Sequence, residues 1–194
     1  CGKQVYRSDE RQSRLRQRFE LGQGAALEWL PQESIFFDQC NTRLDTRIDL
    51  ALESRFITWD VICLGRPASS EPFQQGTIRQ SLEIAQQGKV LLNDRLLIEG
   101  AGKMLTEPWG FNDYPVVGYL VAAPGTVFMR DKVREITGFE ESARLTTTLI
   151  NGLLVCRVLA RQAELARKKL LQIWQILRPD IMAKEAIQPR IWHT

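Results

Sequence analysis

The chain has 194 residues, of which 44% are hydrophobic and 25% are charged, and its net charge is only +3. This composition is typical of an ordinary globular protein, and the length predicts one domain covering residues 1–194. The small net charge argues against a protein that binds nucleic acid. No apolar run approaches the ~20 residues of a membrane-spanning helix.

Basic residues are nevertheless concentrated in two segments. Residues 157–178 carry six basic residues against Glu164 alone. Arginine dominates both segments, and its planar guanidinium suits carboxylate pairing at protein interfaces. An acidic protein partner fits these segments at least as well as a nucleic acid. The first segment, residues 1–18, has two acids, Asp9 and Glu10, among Lys3, Arg7, Arg11, Arg14, Arg16 and Arg18.

The first third of the chain is predicted to consist of short strands separated by polar turns. Residues 43–50 alternate charged side chains with Leu, Thr or Ile, which predicts a strand with one solvent-exposed and one buried face. Pro31 is tolerated only at an edge or a bend, and it predicts a break between two strands. The predicted strands before the first long loop are 1–7, 14–21, 25–30, 34–38, 43–50 and 55–64.

The predicted strand 55–64 differs from its neighbours because it is apolar on both faces. Such a strand is expected to be covered on both faces. Asp60 lies within it, on the same side as Phe56 and Ile62. An ionised carboxylate there is costly unless it is paired or hydrogen-bonded. Asp60 is therefore the residue of this strand that calls for an explanation.

The remainder of the chain is predicted to alternate hairpins, loops and two helices. Asp94 lies on the apolar face of the second strand of the first hairpin. The dipeptide Asn151-Gly152 is the strongest short hairpin signal. The predicted elements are a loop 65–76, strands 77–85 and 90–99, an aromatic loop 100–115, a strand 116–122, a helix 126–136 ended by Thr137-Gly138, strands 144–150 and 153–158, a helix 159–177 ended by Arg178-Pro179, and a docked tail 187–194.

These elements predict a mainly β (α+β) fold with one long C-terminal helix and one short helix. Strands at short, regular spacing are the pattern of a sandwich, a barrel or a solenoid. The pattern alone does not choose among these three architectures.

The sequence contains no recognisable catalytic motif. It has no nucleophile elbow, phosphate-binding glycine loop, dinucleotide fingerprint or zinc-protease motif. His193 is the single histidine, which argues against Ser–His and Cys–His mechanisms. The four cysteines, Cys1, Cys40, Cys63 and Cys156, form no C-x-x-C pair and are expected to be reduced. A carboxylate pair for glycoside hydrolysis stays open, drawn from Glu28, Glu33, Asp38, Asp60 and Asp94.

A dedicated metal cage is also not predicted, because imidazole and thiolate ligands are scarce. Weak carboxylate sites in series would instead let an ion leave as readily as it enters, as in channels. Asp60 and Asp94 are the candidates to line such a path. The alternative interpretation is that each is a buried acid paired with an arginine such as Arg66, Arg79 or Arg95.

Five segments, in order along the chain, resemble the urease accessory protein D family, called H in some species. They are G-K-Q-V-Y-R-S from Gly2, W-L-P-Q-E-S-I-F-F-D over Trp29–Asp38, C-L-G-R-P over Cys63–Pro67, Y-P-V-V-G from Tyr114, and P-R-I-W-H-T at the end. The family normally has a further β-rich segment before the first of these, so we expect that this chain lacks the N-terminal part of the family.

The resemblance implies a function in urease maturation. It implies a non-enzymatic, cytoplasmic chaperone with a stacked, helix-like wrap of β-strands. Its partners would be apo-urease, urease accessory protein F and the GTPase urease accessory protein G. No tightly bound cofactor is implied; nickel would be in transit through an internal tunnel, for which we nominate Asp60, Asp94, Glu33 and Asp38. The alternative from a different class is a carbohydrate-active β-domain that uses Glu33 or Asp38 with Asp60.

Overall fold

The computed structural model describes residues 2–7, 11–136, 139–189 and 192. Within these ranges the chain forms twelve strands and three α-helices. The strands are β1 (Gln4–Tyr6), β2 (Ser13–Leu21), β3 (Ala26–Trp29), β4 (Ser34–Phe36), β5 (Asn41–Leu50), β6 (Arg55–Leu64), β7 (Thr77–Gln86), β8 (Lys89–Glu99), β9 (Val116–Ala123), β10 (Phe139–Glu140), β11 (Ala143–Ile150) and β12 (Leu153–Ala160). The helices are α1 (Lys103–Thr106), α2 (Val127–Glu135) and α3 (Ala163–Met182).

The strands form two mixed sheets. The large sheet has eight strands in the order β1-β4-β6-β9-β12-β11-β10, with β3 also paired with β6. The small sheet has four strands in the order β2-β5-β7-β8. The mainly β prediction is therefore confirmed, and the long C-terminal helix and the short helix are both present.

Between β1 and β7 the chain winds from one sheet to the other like a solenoid. Successive strands of the small sheet are parallel: Ser13 of β2 lies opposite Thr42 of β5, and Asn41 of β5 opposite Thr77 of β7. In the large sheet β3 and β4 both pair in parallel with β6, one after the other. From β7 onward the pairings are antiparallel, and β7–β8 and β11–β12 are hairpins.

The apolar side chains form three clusters in two layers. One cluster lies between the large sheet and the helices, where Trp59, Leu170 and Trp174 are buried. The other two lie between the sheets, one around Phe56 and Ile84, the other around Phe36 and Ile78. The strand β6 contributes to all three, which explains why its sequence is apolar on both faces.

The predicted boundaries of the long helix were wrong at both ends. Leu159 and Ala160 continue β12, paired with Arg144 and Ala143 of β11, because strand alternation and helical spacing overlap there. The predicted stop at Pro179 also fails: the helix continues to Met182. Ile181 and Met182 are buried in the helix-side cluster, and this burial offsets the hydrogen bond that proline cannot make.

Most of the other predicted elements agree closely with the structure, although the predicted loop 100–115 contains α1 and the short strand β10 was not predicted. The short helix begins after Thr126, whose hydroxyl accepts a hydrogen bond from the Met129 amide at 3.2 Å. Of the predicted docked tail, Trp192 packs on the body of the protein, with its ring 5.2 Å from that of Trp59. Cys1, His193 and the predicted helix stop at Thr137-Gly138 lie outside the described residues. Among the described helices none combines the length and the apolar character that a bilayer crossing requires.

Glu28 joins the edge of the large sheet to the long helix. Its carboxylate accepts hydrogen bonds from Arg178 Nε at 3.0 Å and Nη2 at 3.0 Å, and from the Trp174 indole at 2.7 Å. Both side chains of the ion pair are largely buried, with 23% of Glu28 and 17% of Arg178 exposed. An ion pair of this kind is costly to break, because removing one partner leaves the other charge without compensation.

We predict that Glu28→Gln lowers the free energy of unfolding by about 2 kcal/mol, since charged hydrogen bonds are the strong ones. Urea denaturation measures the change. The matched control is Glu71→Gln, which removes the exposed ion pair between Arg66 and Glu71 and should cost less than about 0.5 kcal/mol. Equal losses in the two variants would contradict this role of Glu28.

Candidate functional site

A row of polar side chains crosses the space between the two sheets. Strand alternation directs every second residue into this space, and most of those residues belong to the two inter-sheet clusters. Over two neighbouring inward positions in the middle of the strands, each strand of the small sheet carries a polar residue instead, with Gln80 opposite Leu44 and Thr46 opposite Leu82. We call this set of residues the polar level, and it consists of Gln17, Thr46, Gln80 and Asp94 on the small sheet and Thr58, Asp60, Tyr119 and Arg157 on the large sheet.

A cavity of about 190 Å³ follows the polar level. Its lining runs from Leu15 and Gln17 on β2, at one edge of the small sheet, to Asp94 on β8, at the other edge. On the large sheet it runs from Gln4 on β1 and Ser34 on β4 to Arg157 on β12. The cavity therefore crosses the width of the sandwich, and the two apolar clusters lie on either side of it.

Asp60 lies in the middle of this cavity, on the central strand β6. Its carboxylate accepts a hydrogen bond from Gln80 Nε2 of the opposite sheet at 2.9 Å. Burial raises the pKa of Asp60 to about 6, although hydrogen bonds from the Val61 amide and from Gln80 act in the opposite direction. Contrary to the alternative interpretation, Asp60 is held by an amide and not by an arginine, and no cationic side chain of the described residues forms an ion pair with it.

The negative charge of Asp60 also interacts with Tyr6, which lies near the start of the chain. Burial, with a contribution from the Asp60 carboxylate, raises the pKa of the Tyr6 phenol to about 12. The hydroxyl donates a hydrogen bond to Oε1 of Gln4 at 2.8 Å, and Gln4 lines the cavity. Tyr6 therefore stays neutral at physiological pH and supports the polar lining.

Asp94 lies at the far edge of the cavity and is paired. Arg157 Nη2 is 2.8 Å from its carboxylate, and the two side chains are 58% and 33% exposed, respectively. The Tyr119 hydroxyl is buried beside this pair without a hydrogen bond of ordinary geometry. Burial and the nearby Asp94 carboxylate raise the pKa of Tyr119 well above its usual value. Asp94 thus has an arginine partner, but Arg157 takes this role in place of Arg66, Arg79 or Arg95.

The two other nominated acids are not part of the cavity lining. Glu33 is largely buried and pairs with Lys3 at 2.9 Å. Asp38 accepts hydrogen bonds from the amides of Gln74 and Gln75, both at 2.7 Å, and so closes the loop that follows β6. Neither acid shares the cavity with Asp60, so the structure does not assemble there the carboxylate pair that the hydrolase alternative requires.

The described cysteines are packing residues in protonated form. Burial raises the pKa of the Cys63 thiol to about 12 and that of the Cys156 thiol to about 11, and both side chains are in the helix-side cluster. Across the described ranges no three His, Cys, Asp or Glu side chains come together in a way that would hold a metal ion.

The two long loops pack mainly on the body of the protein. Phe73, Phe111 and Tyr114 are buried, with 3%, 7% and 3% of their surface exposed. Trp109 differs, because 68% of its surface is exposed. The loops thus cover one end of the inter-sheet core and leave one aromatic side chain facing solvent.

Sequence reasoning identified Asp60 and Asp94 but missed the residues that surround them. Gln80, Tyr119 and Arg157 each occupy a position where the alternation of their strand requires an inward side chain. That alternation was a usable signal: a polar residue on the apolar side of three different strands. The family resemblance implied a helix-like wrap of strands, but neither it nor the alternation predicted that Gln80 would bind Asp60 across the sheets.

Taken together, these features define a two-sheet β protein with a cavity between its sheets that is partly lined by polar side chains. Comparison with known families identifies the family. The model of the UreD urease accessory protein family matches residues 2–193. The chain therefore belongs to the UreD family.

Curated relatives support the same assignment. The chain is 39% identical over 193 residues to urease accessory protein UreD of Nitrosococcus oceani, covering 97% of this chain and 64% of the relative. It is 40% identical over 192 residues to UreD of Citrobacter koseri, with the same two coverages. The similarity to UreD of Pseudomonas fluorescens is 40% over 175 residues, or 90% of this chain and 62% of the relative. The chain thus spans slightly less than two thirds of the length of these relatives.

The raised pKa of Asp60 predicts how stability depends on pH. Because the folded-state pKa is above the unfolded value, the folded protein binds the proton more tightly, and this contribution is lost as the pH rises from about 4 to about 6. Asp60→Asn removes the titration, so the variant should gain about 2 kcal/mol relative to the parent protein between pH 4 and pH 7.5.

Urea denaturation at the two pH values tests this expectation. Asp131→Asn is the matched control, because 54% of the Asp131 side chain is exposed. A difference between Asp60→Asn and the parent protein that does not change with pH would contradict the assigned pKa.

Proposed function

We propose that this chain is a urease maturation chaperone that gives nickel ions a path between its sheets. Membership of the UreD family supports the accessory role. The polar level supports the path: the cavity crosses the sandwich, and among its apolar lining residues it presents Asp60, which has no cationic partner among the described residues, together with neutral amide and hydroxyl groups. The observation that carries the proposal is the position of Asp60, an unneutralised carboxylate at the middle of this cavity.

The chemistry of the lining suits transit better than storage. Carboxylate, amide and hydroxyl oxygens are hard ligands, and they hold a late transition-metal ion such as nickel less tightly than imidazole or thiolate does. A path needs sites that attract the ion and also release it. Asp60 supplies the attraction in the middle of the cavity, and Gln17, Thr46 and Gln80 supply weaker oxygen atoms around it.

Asp94 has a different place in the proposed path. Its ion pair with Arg157 stands at the edge where β8 meets β12, so an entering or leaving cation must compete with a guanidinium for the same carboxylate. Arg157 is more than half exposed and can move into solvent when a cation replaces it. In this proposal a cation displaces Arg157 from Asp94, whereas it meets no competing cation at Asp60 among the described residues.

The partners of this path are proposed from the family. Apo-urease would receive the ion, and urease accessory proteins F and G would supply it, with GTP hydrolysis by accessory protein G. This chain would contribute a docking surface and the passage, and the nucleotide chemistry would be carried out by the GTPase.

We predict that Asp60→Asn and Asp94→Asn lower the nickel content and the activity of urease that is co-produced with this chain and with accessory proteins F and G. Removing the only unneutralised acid of the polar level should lower nickel loading at least about tenfold, since it removes the main attraction for the ion. Asp94→Asn should have the smaller effect, because Arg157 already offsets that charge.

The nickel-to-urease ratio is measured by metal analysis of the purified enzyme, and complex assembly by co-purification. Asp131→Asn is again the control. Unchanged nickel content in both cavity variants would eliminate the path while leaving the docking role intact. Loss of the complex would show that the acids act in folding or docking.

A further inference from the structure

The outer face of the small sheet is an open, charged surface. The inward side chains of β2, β5, β7 and β8 fill the inter-sheet clusters, and the outward ones are exposed or half-buried. The helices α2 and α3 pack on the other sheet. On these strands the outward side chains include seven arginines, Arg14, Arg16, Arg18, Arg43, Arg47, Arg79 and Arg95, and five acids, Glu20, Asp45, Asp49, Glu83 and Glu99.

The arginines are adjacent because of the parallel register. Arg14 of β2 lies opposite Arg43 of β5, and Arg43 lies opposite Arg79 of β7. Neighbouring strands are only about 4.8 Å apart. Like charges directly opposite each other destabilise a sheet. This row of three arginines therefore works against stability.

The acids of the same face neutralise only part of this charge. Asp45 binds Arg14 at 3.0 Å and Arg43 at 2.9 Å, and it also accepts a hydrogen bond from the Ser81 hydroxyl at 3.0 Å. Asp49 and Glu83 bind Arg47. At the end of the face that contains Asp49, the positive charge is thus balanced by ion pairs within the face.

Three guanidinium groups near Asp45 have no carboxylate partner among the described residues. Among the described residues, Arg16 and Arg79 have no carboxylate partner, and Arg95 donates only to Asn93 of its own strand, at 3.3 Å. Arg16 and Arg95 lie in the same cross-strand row as Asp45 and Ser81, on opposite sides of them. Arg79 lies in the next row, beside Leu97, which is 45% exposed.

We propose that Arg16, Arg79 and Arg95, together with Leu97, form a docking surface for a carboxylate-rich protein surface. Planar guanidinium groups pair with carboxylates in two-point contacts, and arginine is enriched at protein interfaces. Leu97, opposite Arg79 on the edge strand β8 and two residues from Arg95, adds an exposed apolar contact beside these charges. The partner's acids would provide the counter-charge that the protein's own acids do not.

The pattern of charge favours a protein over a phosphate backbone. Asp45 sits between Arg16 and Arg95, and the acidic Asp49 and Glu83 follow on the same strands. A continuous polyanion lying on this face would meet these carboxylates, whereas a folded protein can place acids and bases to match them. The surface is on the side of the small sheet opposite to the polar level, so it does not depend on transport through the cavity.

The test uses a fluorescein-labelled synthetic peptide in which glutamate alternates with valine, and the same peptide with glutamine in place of glutamate. Fluorescence anisotropy gives the affinity at low and at moderate salt. We expect Arg16→Gln/Arg79→Gln to weaken binding of the glutamate peptide about fivefold or more, as expected for the loss of two exposed ion pairs. The glutamine peptide should bind weakly to both proteins.

The matched control is Lys168→Gln/Lys184→Gln, which removes the same charge from exposed positions outside the small sheet and should change affinity less than about twofold. A charge-reversed variant, Arg16→Glu/Arg79→Glu, should instead prefer a lysine–valine peptide. Equal weakening in the two double-Gln variants would overturn the proposal. So would tighter binding of a DNA duplex or of phosphatidylserine vesicles than of the glutamate peptide at the same salt. The experiment contains neither nickel nor urease, so its result is separate from that of the proposed path.

Discussion

The polar level between the sheets is the constraint on which the rest of the structure depends. Two stacked sheets ordinarily meet through one continuous apolar core. Here the inward residues change from apolar to polar and back to apolar along every strand of the small sheet, so the core is divided in two. The sandwich cannot close over Asp60 and Gln80 without removing their hydrogen-bonding groups from water, which is costly. The polar level is therefore accompanied by a cavity, and the two apolar clusters pack on either side of it.

The acidic residues that the sequence singles out differ in their partners and therefore in their roles. Glu28 and Glu33 are compensated by Arg178 and Lys3 and stabilise the edges of the large sheet. Asp38 caps a loop through backbone amides. Asp60 alone among the acids nominated for the path has an amide as its side-chain partner, and burial raises its pKa to about 6. A shifted pKa together with an open cavity is a physical reason to assign it a function, whereas burial alone is not.

The sequence predicted the local features of the fold better than the long-range ones. Alternation in 43–50, the doubly apolar 55–64 and the Asn151-Gly152 turn were all sufficient to locate β5, β6 and the β11–β12 hairpin. Alternation does not record whether neighbouring strands are parallel, so the winding between the sheets was not predictable from it. The partners of the buried acids were missed for the same reason: Arg178 is 150 residues from Glu28, and Arg157 is 63 residues from Asp94.

The solenoid-like winding has a consequence for how the protein acquires its fold. Each parallel pairing in the small sheet joins residues about 30 positions apart, such as Ser13 with Thr42, whereas the β7–β8 and β11–β12 hairpins close through turns of two residues. The entropy cost of closing a long loop must be met before a distant pairing can stabilise the chain. Topologies rich in distant contacts therefore fold slowly. The two hairpins are thus the elements that we expect to form first during folding. During synthesis the early strands expose unpaired edges until the later strands are made and pair with them. A cell that makes this protein must protect those edges from aggregation in the interval.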